Sequence, residues 1–147
     1  MLGQHGVWEK QKFFEASARV PLFIRAPGLL PAGRVAENVN LCDLFATLCE
    51  LANIPAPDGL DSRSLSAIFD ESSAWDNETV SQFDGRNIMI KRDALKYSFY
   101  EDDNSEVLFD LDADPLELRN RIADPEYAAL LPAFRARRRE LRFGVDA

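Results

Sequence analysis

The pattern of apolar and polar positions divides the chain into two parts. Residues 1–76 contain one nearly continuous apolar run and one amphipathic helical pattern. Residues 77–147 contain short segments of alternating polarity followed by a second helical pattern. The first arrangement is typical of an α/β layer and the second of a small antiparallel sheet with a covering helix. We therefore predict two domains, at 1–76 and 77–147.

The run RVPLFIRA at 19–26 is apolar almost throughout and includes β-branched residues. Such a run predicts a strand buried on both faces, as in a parallel or mixed sheet. Pro27 and Gly28 end the run. A strand of this kind needs neighbouring strands on both sides, and the sequence offers no obvious ones.

An amphipathic helix is predicted between residues 40 and 54. Asn40 stands where a capping residue is needed, and Asp43 lies near the positive end of the helix dipole. Pro55 stops the pattern. The apolar positions recur at three- and four-residue steps, at Leu41, Leu44, Phe45, Leu48, Leu51 and Ala52.

The segments TVSQF, NIMIKR, LKYSFYE and EVLFDLD, within 79–112, combine β-rich composition with alternating polarity. Turn-forming residues separate them, which predicts an antiparallel meander with one packed face and one wet face. Asp124 and Pro125 open a last helix, whose apolar stripe continues to Leu141. The predicted fold class is α/β to α+β: one buried core-sheet strand plus an amphipathic helix, then a small antiparallel sheet packed by a C-terminal helix.

Composition limits the classes of partner. The net charge of −8, from 17 basic and 25 acidic residues, argues against a nucleic acid partner. The apolar runs are too short to span a bilayer, and Met1 is not followed by a secretion leader, so no membrane partner is expected. If their stretch is helical, Cys42 and Cys49 lie too far apart for a disulfide. Buried free thiols favour a cytoplasmic location.

The opening residues contain polar groups that suit an anion. Gly3 and Gly6 flank His5, so the backbone there has access to conformations closed to other residues. Lys10 follows a few residues later. If an ammonium and an imidazole lie close together, they can donate several hydrogen bonds to a tetrahedral anion and stabilise negative charge on its oxygens. Spacing alone leaves open an ordinary surface turn.

The order of these segments resembles that of the sulfatases, a branch of the alkaline phosphatase superfamily. The stretch GQHGVWEKQKFFEASARVPLFIRAPG at 3–28 resembles the sequence that follows the metal-ligand motif in that family. The helix NVNLCDLFATLCELANIPAP at 38–57 and the turn DGLDSRSL at 58–65 resemble the next two family segments. LKYSFYEDDNSEVLFDLDADPLELRN at 95–120 resembles the family's hairpin and its Asp-Pro-x-Glu-x-x-Asn ending. The chain is thus similar to the C-terminal portion of a sulfatase.

The resemblance implies a sulfuric ester hydrolase that uses a formylglycine nucleophile and a divalent cation, Ca²⁺ or Mg²⁺. Its substrate would be a small-molecule sulfate ester. Lys10 matches the lysine that contacts the sulfate and the leaving group, and His5 matches a substrate-binding position at the pocket mouth. On this resemblance, 1–76 is a remnant of the catalytic α/β domain and 77–147 is the C-terminal subdomain.

The chain departs from the family pattern at the nucleophile and at the metal. Neither Cys42 nor Cys49 is followed by x-Pro-x-Arg, and the Asp-His-Gly metal motif is absent. We therefore expect no cofactor and no metal ligands in this chain, and no activity from it alone. Two alternatives stay open: a stand-alone binding or assembly module, and a remnant of a phosphodiester or phosphonate monoester hydrolase. Apolar surface without sheet neighbours also predicts a homo-oligomer, formed through an exposed strand or helix surface.

Overall fold

The structure is a computed structural model that describes residues 1–10, 12–70 and 73–144. Its contacts group the chain into two compact units. One unit comprises residues 1–21 together with 80–147, and the other comprises residues 22–79. The predicted division into domains at 76/77 stays a prediction.

A four-stranded antiparallel meander forms where the sequence predicts it. The strands are β1 (Glu78–Phe83), β2 (Asn87–Arg92), β3 (Leu95–Tyr100) and β4 (Ser105–Asp110). They lie in the sheet in chain order. Left-handed backbone conformations at Asp84, Gly85, Asp93 and Asn104 close the three connections, and these residue types adopt that conformation at low cost.

One face of the sheet carries the hydrophobic core. The buried cluster consists of Ile88, Ile90, Tyr97, Phe99, Leu108, Leu131 and Phe134. The last two belong to helix α3 (Leu131–Glu140), where the Phe134 ring stacks on that of Tyr97 with centroids 5.5 Å apart. The predicted C-terminal helix is therefore confirmed, although Asp124 and Pro125 open a separate 3-10 turn before α3 begins.

The outer edge of the sheet is covered at the middle of β4. The Leu108 N–H donates to the Asn120 side-chain oxygen at 2.9 Å. The Leu108 carbonyl accepts from the Arg121 N–H at 2.7 Å. Both outward backbone groups of Leu108 are therefore satisfied by the segment that follows β4.

In the unit 22–79, the main element is helix α2 (Asp43–Leu51), which confirms the predicted helix. Its start lies three residues beyond Asn40, whose N–H donates to the Asp43 carboxylate at 2.9 Å. The helix buries polar groups: Asp43 and Thr47 are 1% and 0% exposed. The other Asp43 oxygen accepts from the Arg63 N–H, and the Thr47 hydroxyl accepts from the Leu65 N–H.

The apolar stripe of α2 faces outward, contrary to the usual amphipathic arrangement. Leu41, Phe45 and Leu48 are more than half exposed. The polar face is buried because it supplies hydrogen-bond partners for the backbone at 63–65. The apolar face has no comparable cover among the described residues.

The strand predicted at 19–26 does not form in this structure. Residues 19–26 are irregular, and the Phe23 side chain is 91% exposed. A strand is stabilised by its ladder partners, and the described residues place none beside this segment. The buried core strand of the predicted fold class is therefore not formed by residues 19–26 in this structure, whereas the other parts of that prediction, the amphipathic helix, the antiparallel sheet and the C-terminal helix, are confirmed.

Both cysteines are free thiols. Cys42 is exposed, so the prediction that both thiols are buried is wrong for this residue. It is the residue directly before the first residue of α2. None of the helices in the described residues has the length and apolar character that crossing a membrane requires.

Candidate functional site

The opening residues form a small hairpin that presents His5 at its tip. The Gly3 N–H donates to the Val7 carbonyl at 3.2 Å, and an isolated bridge pairs Leu2 with Trp8. His5 has a φ of 55°, in a turn flanked by Gly3 and Gly6, both also at positive φ. The two glycines allow a turn this tight, as the sequence predicts.

The His5 ring is held against an aromatic side chain. It stacks on the Phe14 ring with centroids 3.8 Å apart and planes inclined by 2°. Phe14 in turn contacts Phe109 of β4, with ring centroids 5.9 Å apart. The imidazole is therefore placed by packing that extends into the sheet.

His5 lines a shallow cavity of about 260 Å³. The chemically distinctive lining residues are His5, Lys12, Phe14, Tyr100, Asp103 and Ser105. The Lys12 ammonium lies 4.4 Å from the Tyr100 ring centroid, a cation–π contact. The hydrogen bond from Ser105 lowers the pKa of Asp103, with a smaller contribution from the Lys12 charge. The cavity therefore offers aromatic faces with charges of both signs.

Lys10, the other predicted site residue, is exposed and does not line this cavity. The predicted convergence of the Lys10 ammonium and the His5 imidazole on one anion stays a prediction.

Beneath this region lies a buried ion cluster that the sequence pattern did not reveal. The Lys96 ammonium lies 2.6 Å from the Glu15 carboxylate and 2.8 Å from that of Glu117. Strand alternation assigns a lysine to the wet face, yet Lys96 is only 1% exposed. The glutamates of the motifs FFE and DPLE were the feature of the sequence that could have indicated this cluster, because a buried lysine requires carboxylate partners.

On the other side of the sheet, the Glu106 carboxylate binds two arginines of α3. Its carboxylate accepts from Arg135 at 3.0 Å, from Arg138 at 3.4 Å and from the Tyr97 hydroxyl at 2.5 Å. Burial favours the protonated form of Glu106, but the hydrogen bonds and charges of these partners outweigh it and lower its pKa. Burial and the bond to Glu106 raise the pKa of Tyr97.

The acidic turn after β4 uses its carboxylates for local structure. Asp110 accepts from the Asp112 and Ala113 N–H groups at 3.1 and 3.2 Å, and from the Tyr127 hydroxyl at 2.8 Å. The bond from Tyr127 is the main cause of a lowered pKa at Asp110. The Asp110 carboxylate is therefore used within the turn that follows β4.

The described residues do not fit the cofactors that sulfatases imply. They contain no group of three or more His, Cys, Asp or Glu side chains that could hold a metal ion. The Cys42 thiol lies 3.8 Å from the Asp43 carboxylate, and partial burial together with that neighbour raises its pKa. Neither Cys42 nor Cys49 lies in a Cys-x-Pro-x-Arg context, so no formylglycine nucleophile is assigned to them.

Comparisons with known proteins identify the family. A family model described as N-sulphoglucosamine sulphohydrolase, C-terminal, matches residues 3–143. The choline-sulfatase of Rhizobium meliloti is 35% identical over 144 residues, which cover 92% of this chain and 28% of that protein. The structure of a 2-O GAG sulfatase superposes with a TM-score of 0.57 at 28% identity, over 67% of this chain and 23% of that one. The phosphonate monoester hydrolase of Agrobacterium radiobacter gives 0.53 at 26% identity, over 68% and 24%.

The matched region is a small part of each relative. The chain spans 28% of the length of the choline-sulfatase, and the same share of the arylsulfatase of Clostridium perfringens. The antiparallel sheet and its helix correspond to the C-terminal portion of the alkaline phosphatase-like sulfatase fold. The chain therefore belongs to the sulfatase family and matches the C-terminal part of its members.

Proposed function

We propose that this chain is the C-terminal portion of a sulfuric ester hydrolase and that it does not catalyse hydrolysis alone. The family match across residues 3–143, with motifs in the family order, carries the proposal. Neither cysteine stands in the Cys-x-Pro-x-Arg context from which sulfatases form formylglycine. The nucleophile and the Ca²⁺ or Mg²⁺ ligands would therefore come from other polypeptide.

Within such an enzyme, Lys10 would contact the sulfate or the leaving oxygen of a small sulfate ester. An exposed, compact ammonium can follow negative charge as it moves from the sulfate to the leaving group. His5 would bind the substrate from the tip of its hairpin, beside the aromatic faces of its cavity. We retain a cytoplasmic location as part of the proposal.

A turnover assay tests inactivity. The purified chain, supplied with Ca²⁺ or Mg²⁺ and with an aryl sulfate or choline sulfate, should release no sulfate above the uncatalysed rate. Metal-dependent release that is lost in a Lys10→Met variant would overturn the proposal of an inactive portion.

Reading the coding sequence upstream of Met1 tests the wider proposal. We expect an in-frame segment that encodes Cys-x-Pro-x-Arg and an Asp-His-Gly motif. A stop codon directly upstream would refute it and leave a stand-alone module. An assay of the full-length product on sulfate esters and on phosphonate monoesters then distinguishes a sulfatase from a phosphonate monoester hydrolase. The structural similarity to the Agrobacterium enzyme is the reason to include the second substrate class.

A binding or assembly role is the second candidate. The outward-facing stripe at Leu41, Phe45 and Leu48 favours it, because exposed apolar surface of this kind promotes association. The occupant would be a second copy of this chain, which gives the homo-oligomer expected from the sequence.

A further inference from the structure

Three charged residues from distant parts of the sequence meet in one buried cluster. Lys96 of β3 lies between the carboxylates of Glu15 and Glu117. The side chains of Lys96 and Glu117 are 1% and 2% exposed. Charges this deeply buried persist only when they are paired and hydrogen-bonded, so the cluster constrains every segment that contributes to it.

The cluster also binds the backbone on both sides of Phe14. The Lys96 ammonium donates to the carbonyl of Phe13 at 2.7 Å. The N–H of Glu15 donates to the second oxygen of Glu117 at 2.6 Å. The residues before and after Phe14 are therefore fixed to the sheet and to the turn that follows it, by bonds that involve charged groups and are stronger than neutral ones.

The backbone of Glu117 shows that the surrounding structure enforces this arrangement. Its φ is 57°, a left-handed conformation that is unfavourable for a residue with a side chain. Such a residue persists where neighbouring contacts determine it, and they do so here through the two oxygens that hold Lys96 and Glu15.

Phe14 is the ring on which His5 stacks. The ion cluster fixes the backbone of Phe14, and Phe14 presents a parallel face to the imidazole at 3.8 Å. A continuous chain of contacts thus runs from Lys96 and Glu117 to the candidate substrate-binding histidine, and it bypasses the hairpin in which His5 itself lies.

We propose that Lys96 and Glu117 are positioning residues that place the His5 ring by fixing Phe14. The use of His5 for substrate rests on the proposed function, whereas its placement is a property of this chain and is measurable without turnover. The competing arrangement is that the hairpin at 1–9 alone holds His5 and that the cluster serves only the stability of the fold.

His5 is the only histidine in the chain, so its ring protons give one unambiguous set of NMR signals. Stacking on an aromatic face shifts such signals upfield. In Lys96→Met and Glu117→Gln, we expect the upfield shift of His5 to be lost or strongly reduced. In Glu117→Gln the Glu15 amide should also exchange about tenfold or more faster, because its charged acceptor is gone, while amides of β2 and β3 keep their protection.

Two variants calibrate this measurement. Phe14→Leu removes the stacked ring and defines the His5 signals without stacking. Arg135→Met removes an ion pair of the same unit on the other side of the sheet and should leave the His5 signals unchanged. If a folded Glu117→Gln protein keeps the wild-type chemical shifts of the His5 ring protons, the proposal is overturned. It is also overturned if amide exchange accelerates equally at Glu15 and throughout the sheet. If Lys96→Met does not fold, Glu117→Gln decides, because it keeps an oxygen for Lys96.

Failure of this proposal and failure of the proposed function are separate results. Unchanged His5 signals in the variants refute the positioning role and leave the sulfatase assignment untouched. A stop codon upstream of Met1 refutes the wider enzyme and leaves the NMR result standing.

Discussion

At the scale of single residues, Glu106 joins the sheet to the C-terminal helix through one carboxylate. Its side chain is 17% exposed and pairs with Arg135 and Arg138, while Tyr97 donates its hydroxyl. These contacts cluster on a charged group in a partly dry site, where hydrogen bonds contribute more than at an open surface.

We expect Glu106→Gln to lower the free energy of unfolding by about 1–3 kcal/mol at pH 7, because two guanidinium groups lose their counter-charge. Urea unfolding measures this. Glu140→Gln is the control, since Glu140 pairs with Arg137 at the surface, and its change should stay within about 0.5 kcal/mol. An equal loss in both variants would contradict the special role of Glu106.

The same carboxylate predicts a pH dependence. The folded-state pKa of Glu106 is lowered, so its contribution is complete above the unfolded value of about 4.3 and is lost as pH falls through the folded value. Unfolding measured from pH 7 down to acid should therefore show less acid destabilisation in Glu106→Gln than in the wild type. Parallel curves for the two proteins would exclude this linkage.

The sequence identified some of the candidate site residues and missed others for a physical reason. Lys10 and His5 belong to a local motif that can be recognised from consecutive residues of the sequence. Lys96 and Glu117 gain their role from a contact between residues that are 21 positions apart in the sequence. The alternation of side chains along β3 predicts on which face of the sheet Lys96 lies, but it does not show which residues cover that face.

At the scale of elements, the attachment of α3 depends on Phe134, which is 2% exposed and stacks on Tyr97. We expect Phe134→Ala to lower the free energy of unfolding by about 3–5 kcal/mol, because it leaves a cavity between the helix and the sheet. Leu130→Ala removes a residue that is 41% exposed and should lose clearly less in the same denaturation series. A small loss for Phe134→Ala would show that α3 is held mainly by its charges.

Elements were predictable where local rules decide them. The four strands follow from alternation and from turn residues between them, and α2 follows from its spacing. The strand at 19–26 was predicted wrongly, because strand formation depends on partner strands as much as on the composition of the segment itself. The outward stripe of α2 was missed for a related reason: the buried side of that helix was chosen by hydrogen bonds from 63–65.

At the scale of the whole molecule, the two compact units differ in how much apolar surface they bury. In the unit 22–79, Leu65 is the one apolar residue among the described residues that is buried. The other unit has the clustered core on its sheet. A unit with so little core of its own gains stability when another surface covers it.

We therefore expect the wild-type chain to associate into a dimer or larger species, and Leu48→Glu to shift it toward monomer by placing a charge in the exposed stripe. Light scattering across a concentration series measures this. Leu118→Glu is the matched control, because Leu118 is 75% exposed outside that stripe and should leave association unchanged. A wild-type chain that stays monomeric at high concentration would exclude association through α2.

The covered edge at Leu108 has a consequence for misassembly. A terminal strand with free backbone groups is a template on which further chains grow as cross-β fibrils. At the centre of β4 that template is already occupied by Asn120 and Arg121. Fibril growth from this side would first have to displace Asn120 and Arg121, so the segment after β4 also reduces the exposure of this edge to further chains.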